Sequence, residues 1–491
     1  MKFIKILGAV TLINIIARLL GFVREMVIGF QYGTSYYADS IITAFTIPNF
    51  FYIVLGGAVT TTVISIASKL EPKRQQAFID TMTSGLIMLM GVVTLILMFF
   101  AEQWLVLFFG GLSDEALTLT TQLFRLMAPA TFFLVLAMFY SGLLNMHEKY
   151  RLTSLSTLLF NAGFLLFSVA LSVFLGPIGY GFGATLGAVL MCGFLIYFLY
   201  RFRYLSRFRF KLMYTEDVSR FIKLVLPIVF GGATLQFYYL IQRVFASNLS
   251  EGVIASLNYA SKLTQFPQAV LMASVTTVIY PLLAKAAGEQ DFNKLHRVYQ
   301  RGVQTLLILL IPVTIALVIY AEEAVTFIFQ YGSFDRKATE LTYPLLQILS
   351  LTMMGLALNT YITRFFYALE RSVMAIVLNV VSVFGINVGL VYLWLETYEE
   401  RAIAMAMVIS TLANTLMLMG LIYNYYGFTM SSWMWLLKLL LFTTASVVVL
   451  YGVSLIPVSI VILRLIIAGV TSLALIGLGY KWLGQSVRTV E

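Results

Sequence analysis

Apolar residues in this chain run in long, closely spaced blocks, cut apart by short breaks rich in charge, glycine or proline. A helix crossing about 30 Å of hydrocarbon needs roughly 20 apolar residues. Cutting the chain at its polar breaks gives about fourteen stretches of that kind. They lie near 4–30, 37–68, 80–101, 117–145, 152–175, 179–200, 221–246, 253–284, 302–327, 338–366, 372–395, 402–425, 433–455 and 458–480. The pattern predicts an all-α polytopic membrane protein. The opening Met1-Lys2-Phe3-Ile4-Lys5 has the look of a signal peptide, but its apolar run continues past Arg18 without a small-residue cleavage site, so the first helix is expected to be retained.

Composition agrees with the pattern. Of 491 residues, 60% are hydrophobic and 11% charged, against roughly 25% charged in a soluble domain. The net charge of +10 is read as loop orientation rather than as a nucleic-acid surface. With the N-terminus inside, the inward loops hold Lys69, Lys73 and Arg74, then Lys149 and Arg151, then the run from Arg201 to Lys223, then Lys285, Lys294, Arg297 and Arg301. The alternate loops are poor in base. Both termini are therefore expected in the cytoplasm, which suits an even helix count.

The same inventory excludes several chemistries. Cys192 is the single cysteine, and His147 and His296 fall in polar connectors, so no Cys/His cluster stands at metal-ligand spacing. No glycine loop ending in Lys-Ser or Lys-Thr exists to cradle ATP. No nucleophile and base pair suggests an enzyme. No metal, cofactor or nucleic-acid partner is expected.

Two halves echo one another. Pro48 is followed by Thr61-Thr62-Val63-Ile64 and Lys69, and Pro267 by Thr276-Thr277-Val278-Ile279 and Lys285. Leu158-Leu159-Phe160-Asn161 pairs with Ile376-Val377-Leu378-Asn379. Six helices per half make the repeats parallel, a known transporter plan with its substrate site near the membrane midplane. The expected organisation is a six-helix lobe over 1–205, a basic cytoplasmic linker over 206–220, a second six-helix lobe over 221–428, and two further helices over 429–491.

An ionised residue at the bilayer centre costs at least about 2.5–3.5 kcal/mol, so charges within the spans need a reason. Arg125, Arg243, Arg364 and Arg464 lie near estimated span ends, where they can snorkel. Arg18, Arg24, Asp39 and Lys262 are harder to place there. They imply either a structural ion pair, such as Arg24 with Asp39, or a polar cavity that binds an anion. Guanidinium forks match phosphate oxygens, and lysine adds a point charge. On a straight helix Arg18 and Arg24 point roughly 120° apart, and Gly21 between them permits a bend. Pro48 and Pro267 mark further bending points at equivalent repeat positions.

Several motifs together resemble the MurJ/MviN lipid II flippases of the MOP superfamily, which also contains the MATE and polysaccharide-lipid exporters. They are Arg18-Leu19-Leu20-Gly21-Phe22-Val23-Arg24-Glu25, Ala38-Asp39 with Ile47-Pro48-Asn49, Tyr259-Ala260 with Phe266-Pro267, Phe329 through Asp335, and Phe366-Tyr367-Ala368. The resemblance implies fourteen helices in two lobes that alternate between inward-open and outward-open. It also implies a cationic cavity for a lipid diphosphate and a groove near the last two helices for its tail. By position it gives Arg18, Arg24 and Lys262 to the diphosphate, and Glu25, Asp39, Asn49, Tyr52 and Gln265 to the polar lining or to coupling. Tyr52 stands where the family commonly has Arg, Lys262 where it usually has Arg, and Gln265 at an acidic position. The carboxylates with which some relatives coordinate sodium in helices 7 and 11 have no counterpart.

The expected function is translocation of undecaprenyl-diphosphate-linked peptidoglycan precursor across the bacterial cytoplasmic membrane, with the bilayer and wall-synthesis enzymes as partners. Alternatives are an exporter of another lipid-linked oligosaccharide, of capsule or teichoic type, a MATE-like drug antiporter, or a wall-synthesis scaffold.

Overall fold

The computed structural model describes residues 2–205, 210–213 and 215–484. Among them every regular element is helical. Arg207 and Arg209 of the expected basic linker lie outside the described residues, as do the side chains of Thr276, Thr277 and Val278 in the repeat.

The first helices are α1 (Lys2–Tyr32), α2 (Tyr36–Phe50), a π-helical turn (Phe51–Leu55), α3 (Gly56–Ala67), α4 (Pro72–Phe99), α5 (Ala101–Phe109), α6 (Asp114–Met146), α7 (Tyr150–Leu175), α8 (Ile178–Arg201), α9 (Glu216–Gly232) and α10 (Thr234–Ala246). There follow α11 (Val253–Gly288), α12 (Phe292–Ile319), α13 (Ala321–Phe329), α14 (Arg336–Ser350), α15 (Thr352–Ala368), α16 (Ser372–Val380), a second π-helical turn (Val381–Asn387), α17 (Val388–Tyr398), α18 (Glu400–Tyr426), α19 (Trp433–Ser454) and α20 (Val461–Leu483).

Each expected apolar stretch falls on one helix or on a broken pair. By length and apolarity, ten helices among the described residues can cross a membrane, or eleven if the bent pair α14 and α15 is one span. The remaining expected stretches fall on α1, on α9 with α10, and on α11, so this test does not reach fourteen. The repeat is visible in element order. A long helix followed by a nine-residue helix opening on Ala-Glu occurs as α4 and α5, and again as α12 and α13. The next helix starts on a side-chain cap in both halves: Ser113 accepts from the Ala116 N–H, and Asp335 from the Ala338 N–H. Each such cap contributes about 1 kcal/mol.

Local chemistry sets the irregular points. Pro48 lacks an N–H, and its ring crowds the carbonyl one turn back. The π turn three residues later absorbs this disturbance. It is followed by Gly56, where a Cβ would stand 2.7 Å from Met138 Cγ. α3 thereby comes close enough to α6 for the Thr60 hydroxyl to donate to the Met138 carbonyl at 2.7 Å. Its counterpart, α11, runs unbroken through Pro267 and Pro281.

The chain forms two compact units, Met1–Ile28 with Thr34–Ala255, and Gly29–Gly33 with Ser256–Glu491. The division between them falls at Ala255, in the first turn of α11. α9 and α10 pack within the first unit for identifiable reasons. Arg74 forks onto Asp217 with bonds of 2.6 and 3.1 Å, and Phe78 packs on Phe221 with ring centroids 6.1 Å apart. Arg243 donates to the Thr46 hydroxyl at 2.9 Å. In the second unit, the core gathers around α12 and α15. Tyr299 and Phe365 meet edge to face at 5.5 Å, and the buried Tyr361 hydroxyl donates to the Val298 carbonyl at 2.8 Å.

Candidate functional site

α1 carries Arg18, Arg24 and Glu25 on one unbroken helix, so the two arginines stay on different faces. Arg18 is exposed, whereas Arg24 and Glu25 are buried at 9% and 3% exposure. Arg24 Nη2 donates to Glu25 Oε1 at 2.7 Å. Its guanidinium carbon lies 4.4 Å from the Phe164 ring centroid and 5.3 Å from that of Phe45. A desolvated cation over an aromatic face gains about 2 kcal/mol, which offsets part of the cost of removing the charge from water. The expected alternative pairing of Arg24 with Asp39 is replaced by this bond to its own neighbour.

The aromatic walls are positioned by glycine. Gly179, Gly183 and Gly187 recur every turn along α8, and the matching positions on α7 are Ser172, Ser168 and Phe164. A Cβ on Gly187 would stand 2.8 Å from the Phe164 backbone nitrogen and 3.0 Å from the Phe160 carbonyl oxygen. The stripe lets α7 and α8 touch backbone to backbone. This fixes where Phe164 meets Phe45, at 5.0 Å edge to face, and therefore where Arg24 rests.

Tyr52 lies in the π turn, with its ring 5.7 Å from Phe160 and its hydroxyl hydrogen-bonded with Thr157. It extends the aromatic wall and adds no cation. Asn49 is partly buried and Pro48 buried. Gly21 faces Asn161 of α7, whose Oδ1 would stand 3.3 Å from an added Cβ. The helix does not break there.

Asp39 has a different setting. Its Oδ2 accepts from the Gly252 N–H and its Oδ1 from the Ala255 N–H, both at 2.7 Å. Reciprocally, Glu251 Oε1 accepts from the Tyr36 N–H at 2.7 Å. The N-termini of α2 and α11, equivalent elements of the repeat, thus exchange carboxylates, each satisfying orphan amides of the other. Lys262 and Gln265, both partly buried, and Pro267 stand on α11 in the second unit. Within the first unit, then, Arg24, Glu25 and the wall bearing Tyr52 come together, Arg18 stands apart, and Asp39 holds a helix start.

Sequence reading missed Arg243. It was expected to snorkel, yet it lies among the first unit's helices, bonded to Thr46 and with Glu25 and Arg24 as charged neighbours. Thr46 adjoins Phe45 in α2, so consecutive residues of that helix touch the two guanidinium groups. No periodicity announces this, because Arg243 sits in the last turn of a short helix.

The second unit holds two further features. Tyr259, Phe329 and Phe334 form a ring cluster with centroids 4.9–5.7 Å apart, and the Tyr259 hydroxyl donates to the Gly33 carbonyl. Ser333 donates to the Gln31 carbonyl at 2.9 Å. These motif residues pin the segment Gly29–Gly33. A groove of about 440 Å³, lined by Phe442, Ala445, Leu475, Leu478, Lys481 and Trp482, opens along α19 and α20.

Comparisons with known proteins agree with this architecture. A family model described as "Lipid II flippase MurJ" matches residues 31–470. A probable lipid II flippase MurJ of Buchnera aphidicola (subsp. Acyrthosiphon pisum) is 25% identical over 92% of this chain and 90% of its own length. The lipid II flippase MurJ of Burkholderia cenocepacia is 26% identical over 75% of this chain and 74% of its own. Among solved structures, a lipid II flippase MurJ in an inward closed conformation superposes with a TM-score of 0.83 at 21% identity, covering 96% of this chain and 98% of that one. A multidrug resistance MATE transporter of the MOP superfamily, inward-facing, gives 0.66 at 15% identity, with 82% and 92% covered. The fold is therefore shared with both groups, and the sequence match decides between them: this multi-pass membrane protein belongs to the lipid II flippase MurJ family.

Proposed function

We propose that the protein moves lipid II, the undecaprenyl-diphosphate-linked peptidoglycan precursor, across the bacterial cytoplasmic membrane by alternating access of its two lobes. The observation that carries this reading is a buried arginine, Arg24, packed against two aromatic rings inside a bundle of this family. A guanidinium packed against rings keeps its N–H edge for an oxyanion, and that planar fork suits a phosphate. Glu25 engages that edge in the structure, and an arriving diphosphate competes with it for the same donors.

From the family resemblance, Arg18, exposed on α1, and Lys262, on α11 of the second unit, are each proposed to contact the diphosphate at some stage of transport. The groove along α19 and α20 suits a polyprenyl tail, with walls of Phe, Leu and Trp and Lys481 at its rim. An apolar chain gains nothing by leaving the bilayer for such a trough, but one in van der Waals contact with its walls is guided along it. The N-terminus is proposed to be cytoplasmic, from the loop charges.

Depletion of the protein in its host, followed by measurement of the lipid-linked precursors on each leaflet, tests the reading. Lipid II is expected to build up on the inner leaflet, and wild-type protein but not Arg24→Ala should relieve the block. Accumulation of a different lipid-linked saccharide with normal lipid II would reassign the substrate. Unchanged precursor pools would remove the function.

A further inference from the structure

On α1 alone the charge of the cluster around Arg24 is balanced. Arg24 and Glu25 together are neutral, joined at 2.7 Å and buried. A neutral pair has little pull on an anion. The excess positive charge of the cluster comes from α10, where Arg243 has Glu25 and Arg24 as its charged neighbours. Its placement is fixed: Nη1 donates to Thr46 Oγ1 at 2.9 Å, while the Thr46 hydroxyl itself donates to the Ile42 carbonyl at 2.9 Å. The threonine oxygen is thereby aimed by its own helix and serves as a fixed acceptor for the guanidinium.

We infer that Arg243 is a second phosphate-binding residue, acting with Arg24 so that two guanidinium groups meet the two phosphates of the lipid headgroup, with Thr46 as its positioning residue. The inference rests on the proposed function and specifies its site. Chemically, a diphosphate carries two negatively charged groups a few ångströms apart, and one carboxylate-bound arginine cannot neutralise both. Glu25 is bonded to Arg24 and is a charged neighbour of Arg243. When a diphosphate arrives, its oxygens compete with Glu25 for Arg24 and with the Thr46 hydroxyl for Arg243. A monophosphate needs only one of the cations, so the preference for diphosphate over monophosphate resides in Arg243.

The alternative is that Arg243 serves only as structure, a cation in the last turn of α10 that complements the helix dipole and Glu25. The two roles separate in a binding measurement. Purified full-length protein in lipid nanodiscs is titrated with undecaprenyl diphosphate and with undecaprenyl monophosphate, read by native mass spectrometry. The variants are Arg243→Ala, Arg243→Lys, Thr46→Val and Arg24→Ala, each checked for its melting temperature. Arg243→Ala is expected to weaken diphosphate binding at least tenfold and monophosphate binding less than threefold. Arg243→Lys should recover part of the preference, and Thr46→Val should reduce it with a smaller loss. If Arg243→Ala is unstable, the lysine variant decides alone, because it keeps the charge but not the fork. Diphosphate binding within twofold of wild type in Arg243→Ala, or in the lysine variant where that one decides, while Arg24→Ala is impaired, overturns the role of Arg243 and leaves the proposed function standing. Unchanged binding in both Arg24→Ala and the Arg243 variants removes the site altogether.

Discussion

Asp39 offers the sharpest local test of the structure, because its carboxylate does one identifiable thing. Both oxygens accept a backbone N–H at the start of α11, from Gly252 and Ala255, at 2.7 Å each, and the residue is 4% exposed. A hydrogen bond to a charged group contributes about 1.5–3 kcal/mol. Asparagine keeps one carbonyl oxygen for one of these amides and turns an NH2 group toward the other, donor against donor. One bond is then lost and one amide left unsatisfied, so Asp39→Asn should cost the first turn of α11 about 2–4 kcal/mol of local stability. At 1.4 kcal/mol per factor of ten, amides 252–255 should exchange with solvent deuterium roughly thirty-fold to several-hundred-fold faster. Hydrogen exchange mass spectrometry on protein in nanodiscs reads this directly, with peptides from α15 as an internal reference. Asp39→Ala should exchange at least as fast as the asparagine variant. Unchanged protection at 252–255 in Asp39→Asn, with the reference peptides also unchanged, would show that the carboxylate does not hold these amides.

Two further outcomes follow from the packing and the titratable groups. Gly187→Leu should separate α7 from α8, since even a Cβ there would stand 2.8 Å from the Phe164 backbone nitrogen. Overpacking of this kind costs about 1–3 kcal/mol, and it should lower the melting temperature and reduce flipping as Phe164 moves off Arg24. Normal flipping by Gly187→Leu would disconnect the aromatic wall from function. His147, just past the end of α6, stacks on Tyr204 at 3.7 Å. Burial, with a smaller effect from Lys149, holds its imidazole below the usual histidine value. A base whose folded pKa is lowered binds fewer protons in the folded state, so stability falls as pH drops through the ordinary histidine range, from about 7 to 5. His147→Gln should flatten the melting temperature over that window, and an equally steep profile in the variant would refute the assignment.

The helices were legible because a span of hydrocarbon fixes their minimum length, and charged breaks end them. What stayed hidden were departures inside the spans. Pro48 and Pro267 occupy matching places in sequence, yet only the first is followed by a π turn, while α11 passes through the second unbroken. A proline removes the same donor in both cases. What differs beyond it is Gly56, which lets α3 close on α6 and receive the Thr60 bond. Tertiary packing thus decides whether the disturbance becomes a bulge. Contacts such as Arg74 with Asp217, between residues far apart in the chain, were likewise unreadable.

The site was half legible for a related reason. A buried charge is conspicuous in an apolar sequence, and Arg24 and Glu25 stood out on that ground, but their partners are aromatic and hydroxyl groups that look ordinary anywhere in a membrane protein. Phe45, Phe164 and Thr46 become informative only once a guanidinium is seen against them. Conversely, Asp39 was conspicuous for the same cost of burial and proves to be held by two backbone amides. Burial of a charge therefore signals that some compensation exists without saying which kind. A carboxylate is readily satisfied by helix N-termini, which every span supplies. A guanidinium can draw likewise on carbonyls at helix C-termini, as Arg464 does on Ser454 at 3.1 Å, whereas Arg24 is met by rings and a carboxylate. An arginine with partners of that second kind, more than a carboxylate held by backbone amides, marks where an anionic headgroup is to be sought.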